Sequence, residues 1–319
     1  MTAVAAEPAA RRSRARGVGA DRVFEALCFG AATLLLTALG GLVVSLAIGG
    51  WPALSRFGFG FLTTATWDPV AEVYGAAGAM TGTLATSIVA LAISLPLALG
   101  VAIFLVELCP PILRRPVGTA VELLAGIPSI VYGMWGLLVF APWFAKHVQL
   151  PVMAAVPPGT IWEKVTAGVP NGAGVLTASI ILAIMILPFM AATLRELLLT
   201  IPAQVRESAY GLGSNTFETV TKVSLPYIRT GAIGAVMLGL GRALGETMAV
   251  TFIIGNAHGL PTSIFASGST IASTIANEFA EATGELHTAS LIALGLVLFA
   301  ITFTVLALAR ILIGRQANL

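Results

Sequence analysis

Six long apolar runs alternate with polar connections along the chain. They lie near residues 24–49, 79–106, 117–142, 174–194, 231–256 and 288–313. A helix of about 20 residues crosses the roughly 30 Å of hydrocarbon in a bilayer. Spanning structures must satisfy every backbone polar group internally, and the sequence lacks the ten-residue alternation of barrel strands. The pattern therefore predicts an all-α membrane protein with six transmembrane helices.

The positions of lysine and arginine predict the orientation of these helices. With the N-terminus in the cytoplasm, thirteen basic residues fall in cytosolic segments and three in outer loops. Basic residues accumulate on the cytosolic side of membrane proteins. Both termini are therefore predicted to be cytosolic. Residues 1–22 are predicted to form a disordered basic tail, and residues 23–316 the transmembrane domain, with a long cytosolic loop near residues 195–230.

The composition narrows the possible classes of function. Charged residues make up 10% of the chain and hydrophobic residues 57%, whereas a soluble domain carries about 25% charged residues. The net charge of +2 is too small to indicate a nucleic-acid partner, and membrane lipid is the expected surrounding. Cys28 and Cys109 are interpreted as membrane-buried thiols, and the three histidines show no metal-ligand spacing. We expect neither a metal site nor catalytic residues.

The cytosolic loop carries a spaced pattern. Glu207-Ser208-Ala209 is followed after three residues by Gly213, and nine residues later by Val223-Ser224-Leu225-Pro226. Residues 203–212 are predicted to form a short helix whose small residues Ser208 and Ala209 seat in a partner. Glu207 would either pair with a basic residue there or cap a neighbouring turn. Gly213 allows a sharp turn. Leu225 and Pro226 then lead the chain back to the membrane.

This spacing resembles the signature of ABC importer permeases, in which E-A-A, three residues, Gly, nine residues and I-x-L-P follow in order. Ser208 and Val223 are mild departures from it. The resemblance implies that a separate ATPase contacts Glu207, Ser208, Ala209, Gly213, Leu225 and Pro226. The chain has no GxxxxGK[ST] sequence of its own, so ATP and Mg²⁺ are expected on that ATPase and no cofactor on this chain.

The fifth run contains two charges. Arg242 lies about twelve residues, or roughly 18 Å, from the predicted cytosolic end of its helix. Glu246 follows four residues later, which would put both side chains on one helix face. An ion pair that holds helices together and an anion pathway are both open interpretations, and we favour the pathway. Ser129 and Tyr132 in the third run offer hydroxyl donors to the same pathway or simply pack between helices.

Two further segments resemble the permease subunits of bacterial phosphate importers. They are GIPSIVYGMW at residues 126–135 and RALGETMAVTFIIGN at residues 242–256. The resemblance implies the type I ABC importer permease fold in the bacterial cytoplasmic membrane, with residues 23–316 as a transmembrane permease domain. It also implies a second permease subunit, two ATPase subunits and an extracytoplasmic phosphate-binding protein.

The transported anion is expected to be inorganic phosphate. One arginine does not distinguish tetrahedral oxyanions, so sulfate, molybdate and phosphonate stay open as alternatives. A secondary transporter or channel would not explain the pattern in the cytosolic loop, and the sequence shows no inverted repeat.

Overall fold

The computed structural model describes residues 9–317, with side chains over residues 21–311, and these residues are helical apart from one short hairpin and the loops. The helices are α1 (Ala9–Phe57), α2 (Gly60–Thr63), α3 (Ala77–Ile103), α4 (Pro111–Ala125), α5 (Ser129–Trp135), α6 (Ala141–Phe144), α7 (Leu150–Ala155), α8 (Ile161–Thr166), α9 (Val175–Leu199), α10 (Ala203–Gly211), α11 (Thr216–Thr219), α12 (Leu225–Leu244), α13 (Met248–Ile253), α14 (Ile271–Glu278) and α15 (Glu285–Ala317). The antiparallel hairpin pairs β1 (Trp67–Asp68) with β2 (Val73–Tyr74).

The number of predicted spans is confirmed. Within the described residues, six helical segments are long and apolar enough to cross a membrane. They are Asp21–Phe57, Ala77–Leu108, Ser129–Ala155, Val175–Leu199, Thr216–Leu244 and Glu285–Ile311. The third and fifth segments have bounds clearly different from those predicted.

The chain divides into two units, residues 1–49 and residues 50–319. In the first unit α1 begins at Ala9, so the structure differs from the predicted disorder over residues 9–22. Alanine and arginine, which are frequent there, are strong helix formers. Residues 1–8 of the predicted tail lie outside the described residues. The packing described below belongs to the second unit.

The core of the second unit is the contact between α3 and α9. Ala90, Ala98 and Ala102 of α3 are fully buried there, as is Met190 of α9. Small residues let the two backbones approach closely, so dispersion contacts replace the hydrophobic driving force that is weak between helices in lipid. α12 joins this core where Gly239 faces Met190: a Cβ added at Gly239 would lie 2.7 Å from the Met190 sulfur.

The third span begins later than the hydrophobic run predicts. A break at residues 126–128 separates α4 from α5, and the span then continues from Ser129 to Ala155. The prediction of 117–142 is therefore wrong at both ends. Pro128 has an extended backbone and precedes the new helix, and a residue before proline is disfavoured in the helical region. Trp143 and Lys146, which follow the predicted end at residue 142, lie inside the span.

The fifth span is displaced in the opposite direction. It runs as one helix from Thr216 to Leu244 and stops at a second break, residues 245–247, before the short helix α13. The predicted bounds of 231–256 therefore begin well after the observed start at Thr216 and extend past the observed end at Leu244. α14 is a short helix, and its first four residues, Ile271–Thr274, are buried.

The described residues contain four π-helical turns, and each ends two residues before a proline. The turns are Phe104–Leu108, Gly136–Phe140, Ala145–Gln149 and Val220–Ser224. The prolines that follow are Pro110, Pro142, Pro151 and Pro226. A proline inside a helix lacks the N–H and clashes with the carbonyl four residues earlier. Before Pro142, Pro151 and Pro226 a wider turn relieves the clash and lets the helix continue, whereas before Pro110 the helix ends at Leu108.

The second unit has two ends that matter for function. We call the end that carries α10 and α11 the coupling end. We call the opposite end, where β1, β2 and α14 lie, the hairpin end. α3 starts just after β2, and α9 starts there too, because Val175 donates its N–H to Ala266 at 3.1 Å.

Candidate coupling and translocation sites

The helix predicted in the cytosolic loop is present as α10, and most of its residues are exposed. Glu207, Ser208 and Tyr210 are exposed, and Ala209 is the buried residue of this helix. The small residue at position 209 lets α10 approach the bundle, while Glu207 and Ser208 face away from it. The geometry agrees with a helix that presents one face to another molecule, and the role of these residues stays a prediction.

Gly213 makes the sharp turn that the sequence predicts. Its φ is +90°, and no atom lies near the position of a Cβ. The Ser214 N–H donates to Ala209 at 3.1 Å and the Gly213 N–H to Tyr210 at 3.0 Å, which is the hydrogen-bond pattern of a Schellman motif. The glycine is therefore required for its backbone conformation and not for lack of space.

The return to the membrane occurs at residues 213–215, not at Pro226. Asn215 caps α11: its Oδ1 accepts from the Glu218 N–H at 2.9 Å, and the Glu218 carboxylate accepts from the Asn215 N–H at 3.2 Å. From there the helix runs without interruption through Leu225 and Pro226. The directing role predicted for Pro226 is therefore wrong, because the π-helical turn before it lets the helix continue.

The Arg206 side chain, which the sequence did not single out, ties α10 to the bundle. Its guanidinium donates to the carbonyl of Leu198, in the last turn of α9. Its Nε lies 3.6 Å from a carboxylate oxygen of Glu107, at the end of the second span. The Glu107 side chain is 7% exposed and that of Arg206 19%. The sequence offered one indication of this contact: Glu107 is a carboxylate at the very end of an apolar run.

A second ion pair joins α4 to α9 at the coupling end. Arg195 lies 2.6 Å from Glu122 and 3.3 Å from Glu196. A Cβ added at Gly118 would lie 3.0 Å from the centre of the Arg195 guanidinium, so the glycine leaves room for this side chain. Glu122 belongs to α4, before the break at residues 126–128.

Arg242 and Glu246 do not share a helix face, contrary to prediction. Arg242 lies in the last turn of α12, with its guanidinium 5.6 Å from the centre of the Phe189 ring. Glu246 lies in the second break, and its carboxylate accepts from the Ala249 N–H at 3.3 Å, at the start of α13. Among the described side chains no ion pair joins the two. Each charge instead faces the helix terminus that its sign stabilises.

Ser129 and Tyr132 lie at the start of α5, beside the first break. The Tyr132 hydroxyl donates to the Leu124 carbonyl at 3.1 Å, so it closes the turn between α4 and α5. Gly133, one turn into α5, lies against α13: a Cβ there would be 3.0 Å from the Cα of Ala249. The two breaks thus adjoin one helix contact, which brings the four predicted pathway residues to one region at the level of Phe189.

Arg242 also lines a groove of about 540 Å³ between α12 and α15, with Gly241, Leu306 and Arg310 among the other residues. Phe189 is fourteen residues from the start of α9 and ten from its end. The Arg242 guanidinium therefore lies beside the middle of α9, at the last turn of its own helix, and its depth in the membrane stays a prediction. A cation at this depth is costly without a counter-charge or polar surroundings.

At the hairpin end, Glu278 gathers three ring nitrogens. Its carboxylate accepts from Trp67 Nε1 at 2.8 Å, and it lies 2.9 Å from His287 Nε2 and 3.3 Å from His258 Nε2. Tyr74 stacks on His287 with ring centres 5.4 Å apart. Burial first, and then the charges of nearby carboxylates, raise the pKa of Tyr74 above its ordinary value. The described residues contain no group of ligands suited to a metal.

Comparison with known proteins identifies the class. The family of binding-protein-dependent transport system inner membrane components matches residues 95–318, and the chain belongs to this family. The fold agrees: it resembles a bacterial ABC transporter involved in the import of alginate, with a TM-score of 0.59 at 16% identity over 94% of this chain and 98% of that one. The chain is therefore a multi-pass inner-membrane transport permease with the fold of ABC importer permeases.

Individual relatives narrow the class of transport permease further. The chain is 53% identical to the phosphate transport system permease protein PstC of Mesorhizobium japonicum, over 97% of this chain and 95% of that protein. It is also 53% identical to PstC of Pasteurella multocida, over 87% of this chain and 86% of that protein. A probable PstC of the more distant Methanocaldococcus jannaschii is 38% identical over 80% of this chain.

Proposed function

We propose that this chain is a transmembrane subunit of an ATP-driven importer of inorganic phosphate. The observation that carries the proposal is its 53% identity, over 97% of its length, to a phosphate transport system permease protein. The projecting helix α10, with its exposed Glu207 and Ser208, supports the dependence on an outside motor. The chain forms the translocation pathway with a second permease subunit that resembles PstA.

The remaining partners follow from the same proposal. Two ATPase subunits bind ATP and Mg²⁺, because the sequence has no phosphate-binding loop of its own. An extracytoplasmic phosphate-binding protein delivers the anion at the hairpin end. The coupling end and both termini face the cytoplasm, in accord with the distribution of arginine and lysine. Nucleic acid has no part in this assembly.

Transport in this proposal is a change of access around Arg242. ATP binding closes the ATPase dimer and displaces α10, and the attached spans shift with it. The guanidinium fork matches two oxygens of a tetrahedral anion and keeps its charge at every physiological pH. Glu246, held at the start of α13, limits how tightly the anion binds. Ser129 and Tyr132 line the neighbouring helix end and orient it.

The test of this function is uptake by the reconstituted complex. The chain is purified with its permease partner and ATPase, placed in proteoliposomes with internal ATP, and supplied with the binding protein and radiolabelled phosphate. We expect uptake that requires ATP and resists an excess of sulfate, molybdate or phosphonate. Uptake of one of these anions in preference to phosphate would assign the chain to that anion instead. Phosphate uptake without ATP would contradict the proposal altogether.

Arg242→Gln tests the proposed pathway in the same vesicles. We expect phosphate uptake to fall at least about 100-fold, since a charge-assisted contact at mid-membrane is lost. The complex should still assemble, because Arg242 makes no ion pair with Glu246. Arg242→Lys is the matched variant: it keeps the charge, loses the fork, and should give intermediate uptake. Unchanged uptake by Arg242→Gln would remove Arg242 from the mechanism.

A further inference from the structure

α10 makes a small apolar contact with the membrane bundle, through the buried Ala209 and the partly buried Val205. Ala209 is its buried residue, and Glu207, Ser208 and Tyr210 are exposed. An alanine contributes few atoms to a contact surface. A helix so weakly packed would slide or tilt if another protein pushed on it, unless a polar contact fixed it in place.

The Arg206 side chain supplies that polar contact. It reaches from α10 to two other elements at once: the carbonyl of Leu198 in the last turn of α9, and the carboxylate of Glu107 at the end of the second span. Leu198 is fully buried, and both charged side chains are largely so. One guanidinium therefore connects the coupling helix to the ends of spans two and four.

The chemistry of this contact makes it stiff. Carbonyls in the last turn of a helix lack intrahelical partners, and a cation there is favourable. The guanidinium is planar and presents several donors in a fixed geometry. Glu107 Oε1 and Arg206 Nε are buried and have no hydrogen-bond partner among the described residues, so at 3.6 Å they form an ion pair without a hydrogen bond. Neither group can leave the other without exposing an uncompensated buried charge.

We propose that Glu107 and Arg206 are positioning residues that make α10 move as one body with the ends of spans two and four. The proposal rests on the proposed function, since it concerns how motion of the ATPase reaches the spans. The pair contacts neither ATP nor phosphate. Its loss should therefore lower the phosphate moved per ATP hydrolysed while leaving the ATPase rate and the KM for phosphate nearly unchanged.

The experiment compares Arg206→Gln, Glu107→Gln and the double variant in the reconstituted complex, with ATP hydrolysis and phosphate uptake measured in the same vesicles. The double variant leaves neither charge unpaired, so it keeps a folded form even where a single variant does not. We expect the double variant to move about tenfold less phosphate per ATP, with hydrolysis within about twofold of wild type. The matched control is Lys222→Gln, which breaks the exposed pair with Glu218 and should couple normally.

Normal coupling in the double variant would overturn the proposal. Loss of the ATPase from the purified complex would also overturn it, because the pair would then serve assembly. A wild-type complex that moves no phosphate would instead refute the proposed function.

If the wild-type complex moves no phosphate, the positioning role can still be tested by measuring a distance. Spin labels at Leu108→Cys and Tyr210→Cys, with Cys28 and Cys109 replaced by alanine, report the distance between span two and α10. A distance unchanged by ATP in the wild-type background and broadened in the double variant supports the role. An equally narrow distance in both backgrounds contradicts it.

Discussion

The two ends of the second unit hold their elements together in different ways. At the hairpin end, Glu278 meets three ring nitrogens within 3.3 Å. Beside it Tyr74 stacks on His287 and meets Trp67 edge to face. At the coupling end, α10 packs through Ala209 and the partly buried Val205 and is joined to the bundle by Arg206, whose Nε lies 3.6 Å from Glu107. The hairpin end is a packed cluster, whereas at the coupling end one polar side chain, Arg206, joins a projecting helix to the bundle.

This difference has a physical consequence. Many contacts around one carboxylate resist displacement in every direction, so the hairpin end should move as a block. One arginine contact resists separation but leaves the rest of α10 free to meet another protein. Variants at the hairpin end should therefore act first on stability. Variants at the coupling end should act first on the ratio of transport to ATP hydrolysis.

Of the three variants that test this comparison, Gly213→Leu at the coupling end should have the largest effect. A side chain at φ +90° is strained, by about 1–2 kcal/mol for the left-handed region, and would shift the turn that follows α10. We expect phosphate uptake per ATP to fall about tenfold, with the thermal stability of the complex nearly unchanged. The matched control is Gly211→Leu, which has equal open space but a helical backbone and should couple normally. Equal losses of uptake per ATP in both variants would mean that the bulk of the added side chain, and not the backbone conformation at residue 213, causes the effect.

A smaller effect, of a different kind, should follow Glu278→Gln at the hairpin end. The charged acceptor for Trp67 and His287 is lost, and hydrogen bonds to charged groups each contribute about 1.5–3 kcal/mol. We expect the detergent-solubilised protein to unfold at a Tm several degrees lower, while the surviving complex keeps its ratio of uptake to hydrolysis. The control is Glu281→Gln, an exposed carboxylate nearby. A coupling defect without a change in Tm would break the comparison between the two ends.

The smallest effect should come from Arg56→Gln, also at the hairpin end. Arg56 lies 3.4 Å from Glu72, but both side chains are more than half exposed. Exposed pairs contribute about 0–1 kcal/mol and weaken with salt. We expect a Tm shift of at most about one to two degrees, and none in 0.5 M salt. A shift as large as that of Glu278→Gln would show that surface charge, not the buried cluster, holds this end together.

Hydropathy predicted the number of spans but not where two of them end. The breaks at residues 126–128 and 245–247 lie inside apolar stretches, so the average hydropathy does not fall there. Proline and glycine chemistry ends those helices, and Pro128 carried a readable signal for the first break. The placement of Arg242 and Glu246 on one helix face failed for this reason, since their spacing of four residues has meaning only within one helix.

The local chemistry of the cytosolic loop was predictable, and its anchoring was not. The spacing from Glu207 to Gly213 predicted both α10 and its turn, because a glycine after a short helix favours the left-handed conformation. Arg206 meets Glu107 across about a hundred positions of sequence, and Trp67 meets Glu278 across 211. No periodicity links such pairs. They follow from the packing of whole spans and become visible only in three dimensions.

The π-helical turns also change which residue numbers lie on the same face of a span. Each turn holds one residue more than the α-helical spacing allows, so it advances the phase of everything after it by about 100°. In the third span two such turns succeed each other, and a stripe that starts on one side of α5 emerges on another side of α7. Deleting a single residue within Gly136–Phe140 would convert this turn to α-helix, keep the length nearly constant and leave the far half of the span facing the same neighbours. A helical wheel drawn through the whole segment therefore assigns half of its residues to the wrong neighbours.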